Sequence, residues 1–458
     1  MTPQRHSAYG LVLLLGVVVV AGPAAGHGRA AGAATSAPVA PLQQAARQDE
    51  LAWPRLATLC DRIGARPAGS PAFAEAVRWA METMRADGHA RVWREPVTVH
   101  RWVRGREHAM TTAPYERELP VLALGGSVPA RDVEGAVAVR AAAKDVGPDV
   151  QGKIVLFAPE IPEAATAGER YGFFGRARSE GVAAAGRQGA LAVLVASTPE
   201  RSLATPHTGS LHYETDGPRV PAAALTAEDA AWIARLAGSG VEVRVRLDLP
   251  TRDLGMVETS NVLAEIPGTG NPEEVVVVGA HLDSWDVGQG AHDDGVGVIH
   301  VIEVLRLLRG LPAAPRRTVR GLLFANEEFG LDGGKAYAAA HGSEPHLAAV
   351  ESDMGGFRPH HWGVAATEAQ IAWLRPLALS SGVPVQNGGG GADISPLADR
   401  GVPRIGLYGE PDRYFDVHHT RADTLDKVSP DELRQGIAAL AALVWELANA
   451  PGPPLPPS

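Results

Sequence analysis

The spacing of apolar residues divides the chain into regions of different predicted structure. Between residues 49 and 88 apolar side chains recur at helical spacing, and one face of a second helix carries Phe73, Val77, Ala80 and Met84. Residues 90–100 then alternate between apolar and polar types, as a strand does. From 115 to 250, short strands rich in Val and Ala alternate with Gly and Pro turns. This change predicts a β-rich domain inserted into another domain.

The region from 251 to 450 alternates buried strands with helices. Apolar runs predict strands at 274–279, 318–324, 347–352 and 404–407, and helical spacing predicts helices at 298–308 and 430–448. Such alternation predicts an α/β fold with a mixed, mainly parallel sheet sandwiched by helices. Residues 49–114 form the first part of this host domain, and ligands would lie at the carboxyl ends of its strands.

The first residues have the pattern of an export signal. An apolar run at 11–20 follows Arg5, and the small residues at 22–26 suit a cleavage site. We predict a signal peptide at 1–26, a flexible leader at 27–48, a Pro-rich tail at 451–458, and a secreted or periplasmic protein. A retained anchor is the alternative, but the run is shorter than the roughly 20 residues that span a bilayer.

Composition limits the possible partners and sites. With 458 residues, of which 45% are hydrophobic and 21% charged, the chain can bury more than one core. The net charge of -10, without a basic run, argues against binding to nucleic acid. Cys60 is the only cysteine, which excludes an intrachain disulfide and a thiolate zinc finger. Any metal site must therefore use His, Asp and Glu.

Groups that can bind a metal stand at the ends of the predicted strands between 251 and 450. In chain order they are His281, Asp293, the pair Glu327 and Glu328, Asp353, and the pair His418 and His419. Alone, each is usually a solvated turn or a helix cap, but their place at consecutive strand ends predicts that they meet in one crevice. Imidazole and carboxylate ligands suit zinc or another first-row divalent ion.

The number of ligands favours two metals over one. A catalytic zinc takes about three protein ligands, fewer than the five groups that these loops offer. Two ions about 3.5 to 4 Å apart could share a carboxylate and hold a bridging hydroxide. Glu327 would be the general base that takes a proton from water and passes it to the leaving amine. Asp283 would orient the imidazole of His281.

These residues resemble the M28 zinc peptidases, and most of all their carboxypeptidase Q branch. The resemblance is carried by residues 279–295, 325–328, 351–354 and 414–424, and it extends over most of 51–448. It implies a zinc-peptidase fold of the phosphorylase/hydrolase-like type, interrupted by a protease-associated domain at 115–250. Members of this branch hydrolyse dipeptides or short peptides with a free N-terminus, and some form homodimers.

The resemblance also implies a role for each candidate residue. His281 and Asp353 would bind one zinc, Glu328 and His419 the other, and Asp293 would bridge the two ions. The peptide bond between Asp293 and Asp294 would be cis. Glu327 would be the base, as the residue pattern itself suggests.

Some residues depart from the family pattern or are candidates for substrate contact. His292 stands where relatives carry an apolar residue, so the site could be more polar or hold a third imidazole nearby. Residues 329–334 lean toward the aminopeptidase-like members, so an aminopeptidase acting on longer peptides is an alternative. Asp393, in a Gly-rich loop, and His418 are candidate substrate contacts, although capping a turn is the more usual role for a residue such as Asp393.

Other classes of function have little support in the sequence. Residues 147–153 have the spacing of a phosphate loop, but Ile154 stands where Ser or Thr must reach magnesium. A receptor or scaffold that kept the fold and lost its metals is the non-enzymatic alternative, but here all five ligands are present. We therefore predict a dizinc exopeptidase with a peptide substrate, no nucleic-acid partner and no permanent membrane anchor.

Overall fold

The computed structural model describes residues 38–198 and 204–452 of the chain. The predicted signal peptide at 1–26 and most of the Pro-rich tail at 451–458 lie outside these residues. Among the residues described, no helix combines the length and the apolar character that crossing a membrane requires.

Two sheets with surrounding helices make up the described part of the chain. The strands, in chain order, are β1 (Arg91–Val103), β2 (His108–Ala113), β3 (Arg117–Glu118), β4 (Val121–Ala123), β5 (Ala130–Arg140), β6 (Ile154–Phe157), β7 (Ala192–Ala196), β8 (Ala222–Leu225), β9 (Arg244–Leu249), β10 (Arg252–Ile266), β11 (Asn271–His281), β12 (Arg317–Phe324), β13 (His346–Ser352), β14 (His361–Ala365), β15 (Val385–Asn387) and β16 (Arg404–Tyr408). The α-helices are α1 (Val39–Arg47), α2 (Ala52–Thr58), α3 (Pro71–Ala86), α4 (Ala167–Arg176), α5 (Val182–Arg187), α6 (Ala227–Gly238), α7 (Val296–Arg309), α8 (Glu327–Gly330), α9 (Asp332–His341), α10 (Glu368–Leu379), α11 (Pro411–Val417) and α12 (Pro430–Asn449).

The first sheet belongs to the host domain, and its strand order within the described residues is β1-β10-β12-β11-β13-β16-β14-β15. Strand β11 pairs in parallel with β12 and β13, and β13 pairs in parallel with β16. At one edge, β10 and β1 pair antiparallel. Because β11, β12, β13 and β16 run in the same direction, their carboxyl ends meet at one edge of the sheet.

Helices cover both faces of this sheet, which explains the continuous apolar runs of its strands. Along β11, Val276 and Val278 pack in one core with residues of α7 and α12. Val275 and Val277 belong to a second core, together with Tyr337 of α9. The predicted fold class, a mixed and mainly parallel sheet between helices, is confirmed, and the predicted strands and helices of the host domain lie within a few residues of those observed.

Helix α3 shows how the local sequence sets the ends of an element. The hydroxyl of Ser70 accepts a hydrogen bond from the backbone N–H of Phe73 at 3.0 Å, and Pro71 occupies the first turn, where no N–H is needed. Beyond the other end, Gly88 has a φ of 85°, a left-handed conformation that glycine adopts at little cost.

The prediction of a flexible leader from 27 to 48 is wrong for its last part. Residues Val39–Arg47 form helix α1, which packs against α12. Val39, Leu42 and Ala46 are buried in the host core because they lie on one face of the helix. The leader was predicted from its composition, which does not show the helical spacing of these three residues.

The inserted domain holds the second sheet, whose strand order in the described residues is β3-β2-β9-β5-β6-β7-β8-β4. Helices α4, α5 and α6 lie in the same segment of chain, so the domain is less β-rich than predicted. Strand β2 pairs with β9, so the insert begins before the boundary predicted at 115. The chain enters it after β1 and returns by β10, and these two strands pair along their length.

Candidate metal centre

The candidate centre forms where the parallel strands of the first sheet end. Strand β11 ends at His281, strand β13 is followed directly by Asp353, and the short helix α8 after β12 carries Glu328. After β16, the short helix α11 leads to His419. The topology therefore brings together side chains that are far apart in the sequence.

His281 lies beside two carboxylates in the first half of the centre. Its Nε2 atom is 3.1 Å from Oδ1 of Asp293 and 3.1 Å from Oδ1 of Asp353. Its Nδ1 atom donates to the backbone carbonyl of Asp283 at 3.1 Å, whereas the Asp283 carboxylate is 3.7 Å away. That carboxylate instead accepts a hydrogen bond from the backbone N–H of Glu327 at 3.2 Å. Asp283 thus orients His281 through its carbonyl and the Glu327 loop through its side chain.

His419 occupies the second half in a matching way. Its Nε2 atom is 3.1 Å from Oε2 of Glu328 and 3.3 Å from Oδ2 of Asp293. Its Nδ1 atom donates to the backbone carbonyl of Thr208 at 3.2 Å. The two oxygens of Asp293 therefore face different imidazoles, Oδ1 toward His281 and Oδ2 toward His419.

The side chains of both halves fit divalent cations. An imidazole that donates from Nδ1 to a carbonyl presents a lone pair at Nε2 when it is neutral. A lone pair 3.1 Å from carboxylate oxygens is repelled by them unless a cation lies between. Within the described residues, buried oxygens of Asp293 and Glu328 also have no hydrogen-bond partner. Two groups have ligand atoms within 4.8 Å of one another, and Asp293 belongs to both: His281, Asp293 and Asp353, and Asp293, His418 and His419.

Asp293 is held in place by its own backbone. The peptide bond between Asp293 and Asp294 is cis, as the resemblance implied. The carboxylate of Asp423 accepts hydrogen bonds from the N–H groups of His292, at 2.7 Å, and Asp293, at 3.2 Å. The carboxylate of Asp294 accepts from the N–H of His281 at 3.1 Å, which links this loop to the end of β11.

Arg66 holds the loop that joins His281 to Asp293. Its guanidinium is fully buried and donates to the carbonyls of Leu282 at 2.7 Å, Gln289 at 2.8 Å and Gly290 at 2.9 Å. A buried charge is tolerated where such donors are satisfied. The first half of the centre is therefore fixed from within the host domain.

Glu327 faces a cavity of about 560 Å³ that opens onto both halves of the centre. The cavity is lined by the carboxylates of Asp293, Glu328 and Asp353 and by both His418 and His419. Asn326, with a φ of 66°, turns the chain just before Glu327. Its side-chain amide donates to Asp332 at 2.5 Å.

Burial dominates the electrostatics of the centre. It raises the pKa of Glu327 and Glu328 well above the ordinary value, and the charge of Asp293 acts in the same direction. Burial lowers the pKa of His281, but the charge of Asp353 and hydrogen bonds to carboxylates raise it well above its ordinary value. So many buried acids can ionise together only beside positive charge, which divalent cations would provide.

The two candidate substrate contacts lie in different places. His418 lines the cavity, its ring stacks on His419 at 3.5 Å between centroids, and its Nε2 atom is 3.6 Å from Asp293. Asp393 is 1% exposed and does not line that cavity, although Ala392 does. Neither carboxylate oxygen of Asp393 has a hydrogen-bond partner in the described part of the chain.

His292 does not bring a third imidazole to the centre. Its ring stacks on Phe357 at 4.2 Å between centroids, and its Nδ1 atom accepts from the N–H of Gly356 at 3.0 Å. Burial lowers its pKa to about 4. His292 therefore packs against Phe357 beside Asp293, as the apolar residue of the family pattern would.

The inserted domain contributes side chains to the cavity that no sequence pattern predicted. Tyr171, Ser210 and His212 line the cavity, and the Thr208 carbonyl contacts His419. The resemblance to the family over 51–448 includes residues 206–209 of the insert, and this shared motif was the available signal.

Comparisons with known proteins agree with this arrangement. Residues 261–444 match peptidase family M28, and residues 119–233 match the PA domain. The chain is 33% identical to carboxypeptidase Q of Bos taurus over 411 residues, which cover 87% of this chain and 84% of that protein.

Solved structures extend the similarity to the whole architecture. The structure of a peptidase M28 precursor from Shewanella amazonensis SB2B is 35% identical in sequence and has a TM-score of 0.86. The match covers 92% of this chain and 98% of that chain. BSAP, a zinc aminopeptidase from Bacillus subtilis, has a TM-score of 0.65 at 20% identity, over 87% of this chain and 95% of BSAP. At that identity the likeness to BSAP shows the fold alone.

Proposed function

The chain belongs to peptidase family M28 and is a metallopeptidase, and on that premise we propose that it is a zinc-dependent exopeptidase acting on dipeptides or short peptides with a free terminus. The observation that supports this most is the Asp293 carboxylate, whose two oxygens face His281 and His419. A shared carboxylate between two imidazole and carboxylate groups suits a pair of metal ions.

We propose that His281 and Asp353 hold one zinc, Glu328 and His419 the other, and Asp293 both. When bound, the ions would make water easier to deprotonate and would polarise the scissile carbonyl. The hydrogen bonds from Nδ1 to backbone carbonyls keep each Nε2 free for this role.

Glu327 is the proposed general base. It takes a proton from the attacking water and passes it to the leaving amine, so it must bind that proton readily. Burial raises its pKa and so favours this. The hydrogen bond from its N–H to Asp283 aims the residue into the cavity where the peptide would lie.

The cavity is suited to a short peptide with a free carboxylate. Its floor is acidic, and Lys335 is the only Lys or Arg side chain among the described residues that line it. The Lys335 ammonium donates to the carbonyl of Gly330 at 2.6 Å, which leaves further donors for a carboxylate. His212, from the inserted domain, donates to the carbonyl of Phe329 at 2.9 Å on the same loop.

A substrate panel with the zinc-loaded protein tests this function. Dipeptides, amidated dipeptides, N-blocked dipeptides and longer peptides are compared, before and after removal of the metal. We expect hydrolysis of unblocked dipeptides that is lost with a chelator and restored by zinc. Faster release of residues from the amino end of longer peptides would favour the aminopeptidase alternative. No hydrolysis and no bound metal after zinc or cobalt loading would favour the scaffold.

Export and assembly complete the proposal. The predicted signal peptide at 1–26 supports a secreted or periplasmic enzyme without a permanent membrane anchor. A homodimer is proposed from the resemblance alone. Detection of the mature protein outside the cytoplasm, starting after residue 26, tests the location, and light scattering tests the dimer.

A further inference from the structure

The inserted domain contacts the second half of the candidate centre through a short segment, residues 206–210, and through the ring of Tyr171, whose centroid lies 5.2 Å from that of His418 and 6.4 Å from that of His419. Two hydrogen bonds join this segment to the host domain at a single residue pair. The N–H of Thr208 donates to the carbonyl of His419 at 3.0 Å, and the Nδ1 atom of His419 donates to the carbonyl of Thr208 at 3.2 Å. Among the residues that the structure describes, the insert makes no such hydrogen bond to His281, whose Nδ1 bonds within the host domain.

The Thr208 carbonyl is itself held in a fixed position. Thr208 is fully buried, and Arg178 of the inserted domain donates to the same carbonyl at 2.7 Å. The Thr208 hydroxyl donates to the carbonyl of Ala123 at 2.9 Å and accepts from Arg104 at 3.3 Å. The segment therefore cannot move without breaking several buried hydrogen bonds.

Gly209 allows the close approach of Arg178 to this segment. A Cβ atom at residue 209 would lie 1.8 Å from an Nη1 atom of Arg178. Any larger residue must displace either the guanidinium or the segment that carries Thr208. Glycine at this position thus serves the contact with His419, not a special φ angle.

We propose that the inserted domain positions one metal ligand of the host domain: Thr208, held by Arg178, orients His419 so that its Nε2 atom faces Glu328 and Asp293. This inference rests on the proposed metal site and goes beyond it. The insert is then a structural part of one half of the centre, and not only a cover over the substrate cavity. Hydrogen bonds to the second imidazole nitrogen set both ring orientation and ligand strength.

The experiment removes the support without touching a ligand. Arg178→Met removes the arginine donor to the Thr208 carbonyl. Gly209→Ala adds a methyl group that would clash with the same guanidinium and displace it. Matched controls are Arg176→Met, an exposed arginine two residues before Arg178, and Gly168→Ala, where a Cβ meets nothing within 4 Å. Each full-length protein is stripped of metal and titrated with zinc against a competing chelator, and thermal unfolding of the metal-free form is recorded.

We expect wild type and both controls to bind two zinc ions. For each ion, the affinity should be the same in all three proteins. Arg178→Met and Gly209→Ala should lower the affinity for one zinc ion by roughly 10- to 100-fold, the usual range for loss of such a supporting contact. The other ion should bind as in wild type. In the His419→Ala background, Arg178→Met should have no further effect on zinc affinity, because the residue it orients is gone.

Three outcomes would overturn the proposal. Unchanged affinities for both ions would show that Thr208 does not position His419. An equal loss at both ions, with a lower unfolding temperature, would show a general structural role for Arg178. A full additional loss in the His419→Ala background would show that Arg178 acts elsewhere. Wild type that binds no zinc would instead refute the proposed function, which this titration detects separately.

Discussion

The two halves of the candidate metal centre are alike in their candidate ligand atoms and different in their support. On one side, Nδ1 of His281 bonds to a carbonyl two residues away, and Arg66 fixes the loop that follows. On the other side, Nδ1 of His419 bonds to Thr208, a residue of another domain. Asp293 belongs to both halves.

In the proposed arrangement, the insert supports the second half of the centre without supplying a ligand. A ligand at the end of a buried strand is oriented by its own sheet. His419 instead follows a short helix and has a left-handed φ of 59°, so its position depends on what packs against it.

The largest effect is expected for Glu327→Gln, which should lower turnover by roughly 10²-fold or more because the base is lost while both halves of the centre remain. Zinc content should stay at the wild-type value, as measured by elemental analysis. Glu368→Gln, an exposed change on α10, is the control. Near-normal turnover with zinc retained would contradict the role of Glu327.

The two halves are compared directly by His281→Ala and His419→Ala. Each variant should lower the affinity for one zinc ion by a factor at least 10-fold greater than for the other ion, because it removes a proposed ligand from one half only. Zinc titration against a chelator measures both affinities. Two unaffected ions in either variant would overturn that assignment.

Arg66→Met tests how the first half is supported. Loss of three buried hydrogen bonds to carbonyls should lower the free energy of unfolding by about 2 kcal/mol, measured in urea. Arg62→Met, an exposed neighbour, should leave it unchanged. A variant as stable as wild type would mean that Arg66 does not hold this loop, and the contrast with the second half would disappear.

The smallest effect is expected for Lys335→Gln, which alters the wall of the cavity and neither half of the centre. KM for a dipeptide should rise about 10-fold, because one charged contact to its carboxylate is lost. KM for the same dipeptide amide should not change, and Lys144→Gln serves as an exposed control. Equal KM changes for acid and amide would exclude a carboxylate contact.

Much of the host domain could be predicted because its signals are local. The runs that became β11, β12 and β13 are apolar throughout since helices bury both faces of the sheet. The order of strands followed by ligand-type residues placed the candidate centre at the carboxyl ends. The individual metal-binding roles came from the resemblance and stay predictions.

What the sequence did not reveal depends on contacts between distant segments. Nothing in the order of residues pairs Thr208 with His419, and only the fold brings them to 3.2 Å. Asp283 follows the pattern of an orienting carboxylate, yet its backbone carbonyl is the atom that contacts His281. The helix α1 was missed because a composition rich in Ala and Pro masked three well-spaced apolar residues.

Anomalous X-ray scattering from crystals of the zinc-loaded protein tests the central claim most directly, because it locates each ion independently of activity. We predict two zinc peaks, one beside His281 and Asp353 and one beside Glu328 and His419, with the Asp293 carboxylate between them. A single peak, or two peaks of which neither contacts Asp293, would contradict the account.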